Sequence, residues 1–99
     1  MKQNPERKFR NKIRPLLDIL PNSWWESIQQ KSIKGTPDLL GCINGIFVGM
    51  ELKASTGKVS ALQQYKIDKI KAAGGVGIVV SPENFKEIYM GLEKLAYGN

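Results

Sequence analysis

The chain has 99 residues, 41% of them hydrophobic and 24% charged, the composition of one globular domain with one modest core. It contains no histidine, which excludes imidazole general bases, Ser-His-Asp and Cys-His nucleophiles and His-based metal fingers; its one cysteine, Cys42, excludes an internal disulfide framework. The net charge of +6 favours a polyanionic partner, nucleic acid above all.

No apolar run approaches the ~20 residues of a membrane span, and the polar, basic start has no signal-peptide core behind it. A cytoplasmic protein without membrane contact is therefore expected. The positive charge is concentrated at the start, where Lys2, Arg7, Lys8, Arg10, Lys12 and Arg14 face only Glu6. Clustering on one short segment points to phosphate contacts; a solvated helix face is the other reading.

Residues 4–20 read as a helix, with Asn4 as N-cap, Pro5 in the first position and Phe9, Ile13, Leu16, Leu17 and Leu20 at helical spacing. Pro15 predicts a kink or a new segment, and Pro21 the end. Glu6, seven residues before Ile13, falls within about 20° of it on the helical wheel and so on the inward stripe. Residues 24–33 read as a strand opened by Trp24-Trp25, both taken for core or interface residues rather than stacking platforms.

Asn44-Gly45 between two apolar runs predicts a two-residue hairpin joining strands 38–43 and 46–53. If that pair is the loop, Ile43 faces Ile46 and Asp38 stands opposite Glu51, with Cβ atoms roughly 4.5–5.5 Å apart. Lys53, two residues on, shares the face of Glu51. Ile46, Val48, Met50 and Leu52, with Leu39 and Ile43 across the ladder, make the core face, so the carboxylates lie on the opposite face.

Residues 54–59 read as a loop, and Ser60 caps a helix running to about Ala73, closed by Gly74-Gly75. Its buried stripe is expected at Ile67, Ile70 and Ala73, and Gln63 falls within about 20° of Ile70. Residues 76–80 read as a short apolar strand, parallel to 46–53 through a crossover. Ser81-Pro82 then open a last helix to about Ala96, with Phe85, Ile88, Tyr89 and Leu92 inward.

Asp38, Glu51 and Lys53 are the residues with a chemical meaning. Two opposed carboxylates repel without a cation between them, and Mg²⁺ is held by one or two carboxylates plus waters and substrate oxygens. Such a site neutralises a scissile phosphate and activates a water, and a lysine beside it orients that water or stabilises developing charge. The competing reading is a solvated hairpin face with a Glu51–Lys53 or Asp38–Lys53 surface pair. Lys58 and Lys66 flank the same region, placed either to hold phosphates or to be solvated.

Gly35-x-Pro37-Asp38, then Glu51-Leu52-Lys53, then Ser60-x-x-Gln63, then Ala73-Gly74-Gly75 before an apolar strand resembles the PD-(D/E)XK nuclease superfamily, and within it the VRR-NUC group of small stand-alone nucleases. The resemblance implies one α/β domain over 1–99, a restriction-endonuclease-like core with a mixed sheet of about four strands flanked by helices. It implies a Mg²⁺-dependent DNA endonuclease, with Mn²⁺ as a possible substitute. Asp38 and Glu51 match the metal-binding carboxylates, Leu52 would lend its backbone carbonyl, Lys53 matches the catalytic lysine, and Gln63 matches the glutamine of the following helix. The glutamate of the family's first helix matches Glu6, as metal ligand directly or through water, with Glu26 the competing candidate and first-turn capping the bland role for Glu6.

Arg7, Lys8, Arg10, Lys58 and Lys66 are the expected DNA contacts. With no appended module to read sequence, branched or junction DNA is the expected substrate, and Holliday-junction resolvases of the superfamily imply a homodimer. The alternative is a non-catalytic nucleic-acid-binding protein that retains the fold; a hydrolase of a small phosphorylated ligand is a further one, against which the basic first helix counts.

Overall fold

A computed structural model describes residues 4–28, 34–54 and 57–98. The elements run α1 (Pro5–Asp18), β1 (Ser23–Ser27), β2 (Leu39–Ile43), β3 (Ile46–Leu52), α2 (Ala61–Ala72), β4 (Val76–Val80) and α3 (Phe85–Tyr97). The strands form one mixed sheet in chain order, antiparallel from β1 to β3 and parallel between β3 and β4. This is the α/β architecture expected, a four-stranded mixed sheet flanked by helices.

The hairpin sets the register. Asn44 and Gly45 both take positive φ, 51° and 84°, the combination a two-residue primed turn requires. Ile43 pairs with Ile46, and the ladder runs out to Leu39 opposite Met50. One step further, where Asp38 would face Glu51, a side chain continues the ladder: the Leu52 N–H donates to Asp38 Oδ2 at 2.8 Å. From the other side, the Ile28 N–H donates to the Asp38 carbonyl at 2.8 Å. Asp38 is therefore pinned between β1 and β3.

One face of the sheet carries the main core. Leu39, Ile43, Val48, Met50, Leu52 and Val80 meet Phe9, Ile13, Leu17 and Leu20 around α1 and Leu92 and Ala96 of α3, all buried. Trp25 belongs to this core, whereas Trp24 is 62% exposed on the opposite face, as strand alternation requires. α2 covers the other face over β3 and β4. There Gly49 and Gly77 are register partners. A Cβ on Gly49 would stand 2.5 Å from Ile70 Cδ1, and one on Gly77 would stand 2.5 Å from the Ile67 backbone carbonyl. The paired glycines let α2 sit close to the sheet.

Several expectations are corrected. α1 runs through Pro15 without breaking into a second segment: the missing N–H frees only the Asn11 carbonyl, on the exposed side, while the apolar stripe holds the helix down. α1 ends at Asp18, ahead of Pro21. Leu16 lies at the margin of the stripe, 39% exposed, and Ala73 is exposed beyond the end of α2. β1 ends at Ser27; the rest of the expected strand, 29–33, lies outside the described residues. The last helix starts at Phe85 because Asn84 closes a turn first, its Oδ1 accepting from the Ser81 N–H at 2.8 Å and its Nδ2 donating to the Val79 carbonyl at 3.1 Å.

The open edge of β1 is guarded. Asn22 and Ile28 bond toward β2, so the antiparallel alternation turns the Trp25 carbonyl outward. Arg14 of α1 covers it, donating to the Trp25 carbonyl at 2.9 Å and to Ser27 Oγ at 2.7 Å. No helix among the described residues is long and apolar enough to cross a membrane.

The close seat of α2 gives a direct test. Gly77→Ala puts a methyl against backbone that cannot swing aside, so it costs about 1–3 kcal/mol and lowers Tm by roughly 5–15 °C. Thermal unfolding followed by circular dichroism measures it; an unchanged Tm would show that α2 is not held by this contact.

Candidate functional site

The site lies where β2 begins and β3 ends, on the sheet face that α2 covers. Glu51 alternates away from the main core, yet it is only 2% exposed, because α2 sits over β3. Gln63 explains how a helix start can rest on a carboxylate. Its N–H donates to Ser60 Oγ at 3.1 Å and its Oε1 accepts from the Ser60 N–H at 2.9 Å, a complete capping box. Its remaining polar atom, Nε2, donates to Glu51 Oε2 at 2.9 Å. One side chain thus caps α2 and ties it to the buried acid.

Lys53, next but one along β3, brings Nζ to 3.6 Å from the same Oε2, with both side chains largely buried. Glu51 Oε1, by contrast, has no hydrogen-bond partner, the only such buried side-chain atom among the described residues. A buried, unpaired acceptor is costly unless something supplies a proton or a cation. Burial first, then the neighbouring Asp38 side chain, push the Glu51 carboxyl from 4.5 up to about 8, against the pull of Lys53. Glu6 adds a smaller push.

The residues expected at the site therefore divide. Asp38, Glu51, Lys53 and Gln63 converge. Glu6, half-buried in the first turn of α1, acts on Glu51 through its charge, while Glu26 is exposed on β1, paired at its backbone with Leu40. No group of three or more Asp, Glu, His or Cys side chains placed to hold a metal ion occurs among the described residues; the acidic pair is Asp38 and Glu51. Leu52 is 1% exposed with its side chain in the core, which holds the peptide of the expected carbonyl ligand rigid. A divalent cation fits this set: an orphaned oxygen, a second carboxylate beside it and no competing cation on Oε1.

Arg7 and Lys8 are exposed on α1, Arg10 is half-buried there, and Lys58 is exposed in the loop before α2. Lys66 donates from Nζ to the Lys34 carbonyl, so it also ties α2 to the segment leading into Asp38. Two contributors had no structural role assigned from the sequence. Pro37 is buried, its Cγ 3.3 Å from where a Gly49 Cβ would stand, seating the turn before Asp38 on the sheet. The Gly49–Gly77 pair is the other; its signal was two glycines inside apolar strands, which mark close backbone approach. Compared with known proteins, the chain matches no family model, no curated protein and no solved structure.

The raised Glu51 pKa sets a pH dependence. Unfolded, the carboxyl ionises near 4.5; folded, it ionises near 8. The folded state binds the extra proton, so stability is full below pH 4.5 and is lost as pH rises toward 8. Glu51→Gln keeps the shape and removes the penalty. In chelator, it should be more stable than wild type by about 1–3 kcal/mol at pH 8.5, with the difference closing toward pH 4.5. Urea unfolding across that range measures it, and a constant difference would show that Glu51 does not titrate this way.

Proposed function

We propose that the chain is a metal-dependent endodeoxyribonuclease of the PD-(D/E)XK type, close to the VRR-NUC group, hydrolysing phosphodiester bonds in branched or junction DNA, with a homodimer as its working form. The observation that supports this best is the buried Glu51 carboxyl with one oxygen unpartnered, Asp38 beside it and Lys53 and Gln63 on its other oxygen. A buried pair of carboxyl groups with one oxygen unpartnered suits a bound cation. The excess positive charge of the chain, six cations against one acid in the first fourteen residues, suits a polyanionic substrate.

Asp38, Glu51 and the Leu52 carbonyl would hold Mg²⁺ or Mn²⁺, which when bound neutralises phosphate charge and makes a coordinated water more acidic. The protein's own groups do the rest. Asp38 is held in place by the Leu52 N–H, and Gln63 fixes the rotation of Glu51 by binding one oxygen, leaving the other to face the site. Lys53 positions the attacking water, takes or relays its proton, and offsets negative charge as the water oxygen adds to phosphorus and the bond to the departing oxygen breaks. Glu6 adds negative charge near Glu51, directly or through water. Arg7, Lys8, Arg10, Lys58 and Lys66 meet the DNA backbone. Such contacts position a duplex without reading its sequence, which favours recognition by shape.

Supercoiled, linear, flap and four-way-junction DNA incubated with Mg²⁺ or Mn²⁺ test the reading. Wild type should cut at least one of them, and Glu51→Ala and Lys53→Met should each cut ~10²–10⁴-fold more slowly. Wild type that binds all of them and cuts none would leave a nucleic-acid-binding protein with a nuclease fold. Glu51→Ala cutting at the wild-type rate would refute the site.

A further inference from the structure

A second feature lies on the face of the sheet that α1 and α3 cover, opposite the face of the carboxylates. A cavity of about 400 Å³ opens between α1 and the start of α3, within the ~300–1,000 Å³ range of small-molecule sites. Its walls are apolar: Phe9 and Leu16 from α1, Pro82 and Phe85 from the other side. Phe9 and Phe85 meet edge to face with ring centroids 6.1 Å apart, and Phe85 is only partly buried. Lys8 and Lys12 stand on its rim, both exposed. They are one helical turn apart, ~6 Å along the axis, so they can meet successive phosphates of one strand.

The position of the cavity is informative. Pro5 closes one end, and its chain neighbour Glu6 contributes to the field at Glu51. Pro82 follows β4, whose last residue Val80 pairs with Leu52. Both walls thus rise from segments at the same end of the sheet as Asp38 and Glu51. An apolar slot with aromatic walls, a cationic rim and a carboxylate site at the same end of the sheet has the chemistry of a place for a nucleobase whose phosphates lie on the lysines.

We infer that this cavity receives one unpaired nucleotide of the substrate strand, its base against Phe85 and Leu16 and its flanking phosphates on Lys8 and Lys12. The inference rests on the nuclease reading and narrows it. A base inside a duplex is stacked and cannot enter a recessed slot; one already unpaired enters at the least cost. The substrate class is therefore DNA with unpaired nucleotides at the cleavage point, such as a flap, a gap or a branch. The largely apolar walls offer few fixed donors or acceptors to base edges, so the slot selects for an unpaired base rather than for a sequence.

The test is binding in chelator, where cleavage plays no part, using a duplex with a short unpaired overhang and a blunt duplex of equal length. Wild type should bind the overhang at least about tenfold more tightly, with a change in 2-aminopurine emission at the first unpaired position and equal affinity for all four bases there. Leu16→Trp fills the slot from a part-exposed position, and should reduce overhang binding to the blunt-duplex level and abolish the emission change. Lys8→Gln/Lys12→Gln, at two exposed positions, should weaken overhang binding and flatten its salt dependence. Equal wild-type affinity for overhang and blunt duplex overturns the inference, as does overhang binding unaffected by both variants. Leu16→Trp converting a dimer to monomer in sedimentation also overturns it, since the occupant would then be a second copy. Wild type that cuts DNA but shows no overhang preference removes the slot and leaves the nuclease reading; overhang preference without cleavage of any substrate does the reverse.

Discussion

The structure depends on keeping one carboxyl group, that of Glu51, out of water. Burying an acid costs several kcal/mol unless its oxygens are bonded or its charge is met. Here one oxygen is met by Gln63 and Lys53, and the other has no hydrogen-bond partner among the described residues. The arrangement requires a cover, and the cover is α2. It requires α2 to lie low, which Gly49 and Gly77 allow by presenting no Cβ where Ile70 and the Ile67 carbonyl pass. It also requires the helix to begin at the acid, which the Ser60–Gln63 capping box ensures. The same glutamine thus caps the helix and holds the acid.

The two faces of the sheet divide the work. On one, α1 and α3 pack aliphatic and aromatic side chains against Leu39, Val48, Met50, Leu52 and Val80, and most of the hydrophobic stabilisation resides there. On the other, α2 covers β3 and β4, with Trp24, Cys42 and Phe47 exposed in one cross-strand row. A domain of this size has few residues to spend on a second core. The face that carries the carboxylates is therefore held by a few specific contacts rather than by bulk burial, and its geometry is sensitive to single substitutions.

Charge is distributed to match. The acids Asp38 and Glu51 sit at one end of the sheet, held by the Leu52 N–H, Gln63 and Lys53, while Arg7, Lys8 and Lys12 are exposed on α1. In the proposed function a polyanion would be drawn by this positive field, and a divalent cation would reverse the sign of the carboxylates it meets. The apolar slot between α1 and α3 opens at the same end of the sheet, on the face away from the carboxylates.

Much of this was legible in the chain itself. The Asn44-Gly45 turn determined the hairpin register, because two positive-φ positions in succession admit a single kind of two-residue loop, and the register in turn brought Asp38, Glu51 and Lys53 together. Helical spacing placed α1 and α2, and alternation divided the two faces, because these patterns are local and periodic. Pro15 starts no second segment, since tertiary packing of Phe9, Ile13 and Leu17 outweighs one lost hydrogen bond. The burial of Glu51 was beyond reach of the sequence: on a strand read alone, an acid opposite the apolar face is a solvent-facing acid. Only the docking of α2 onto two glycines from different strands decided otherwise. That contact joins residues distant along the chain, and no local pattern records the distance at which two elements pack.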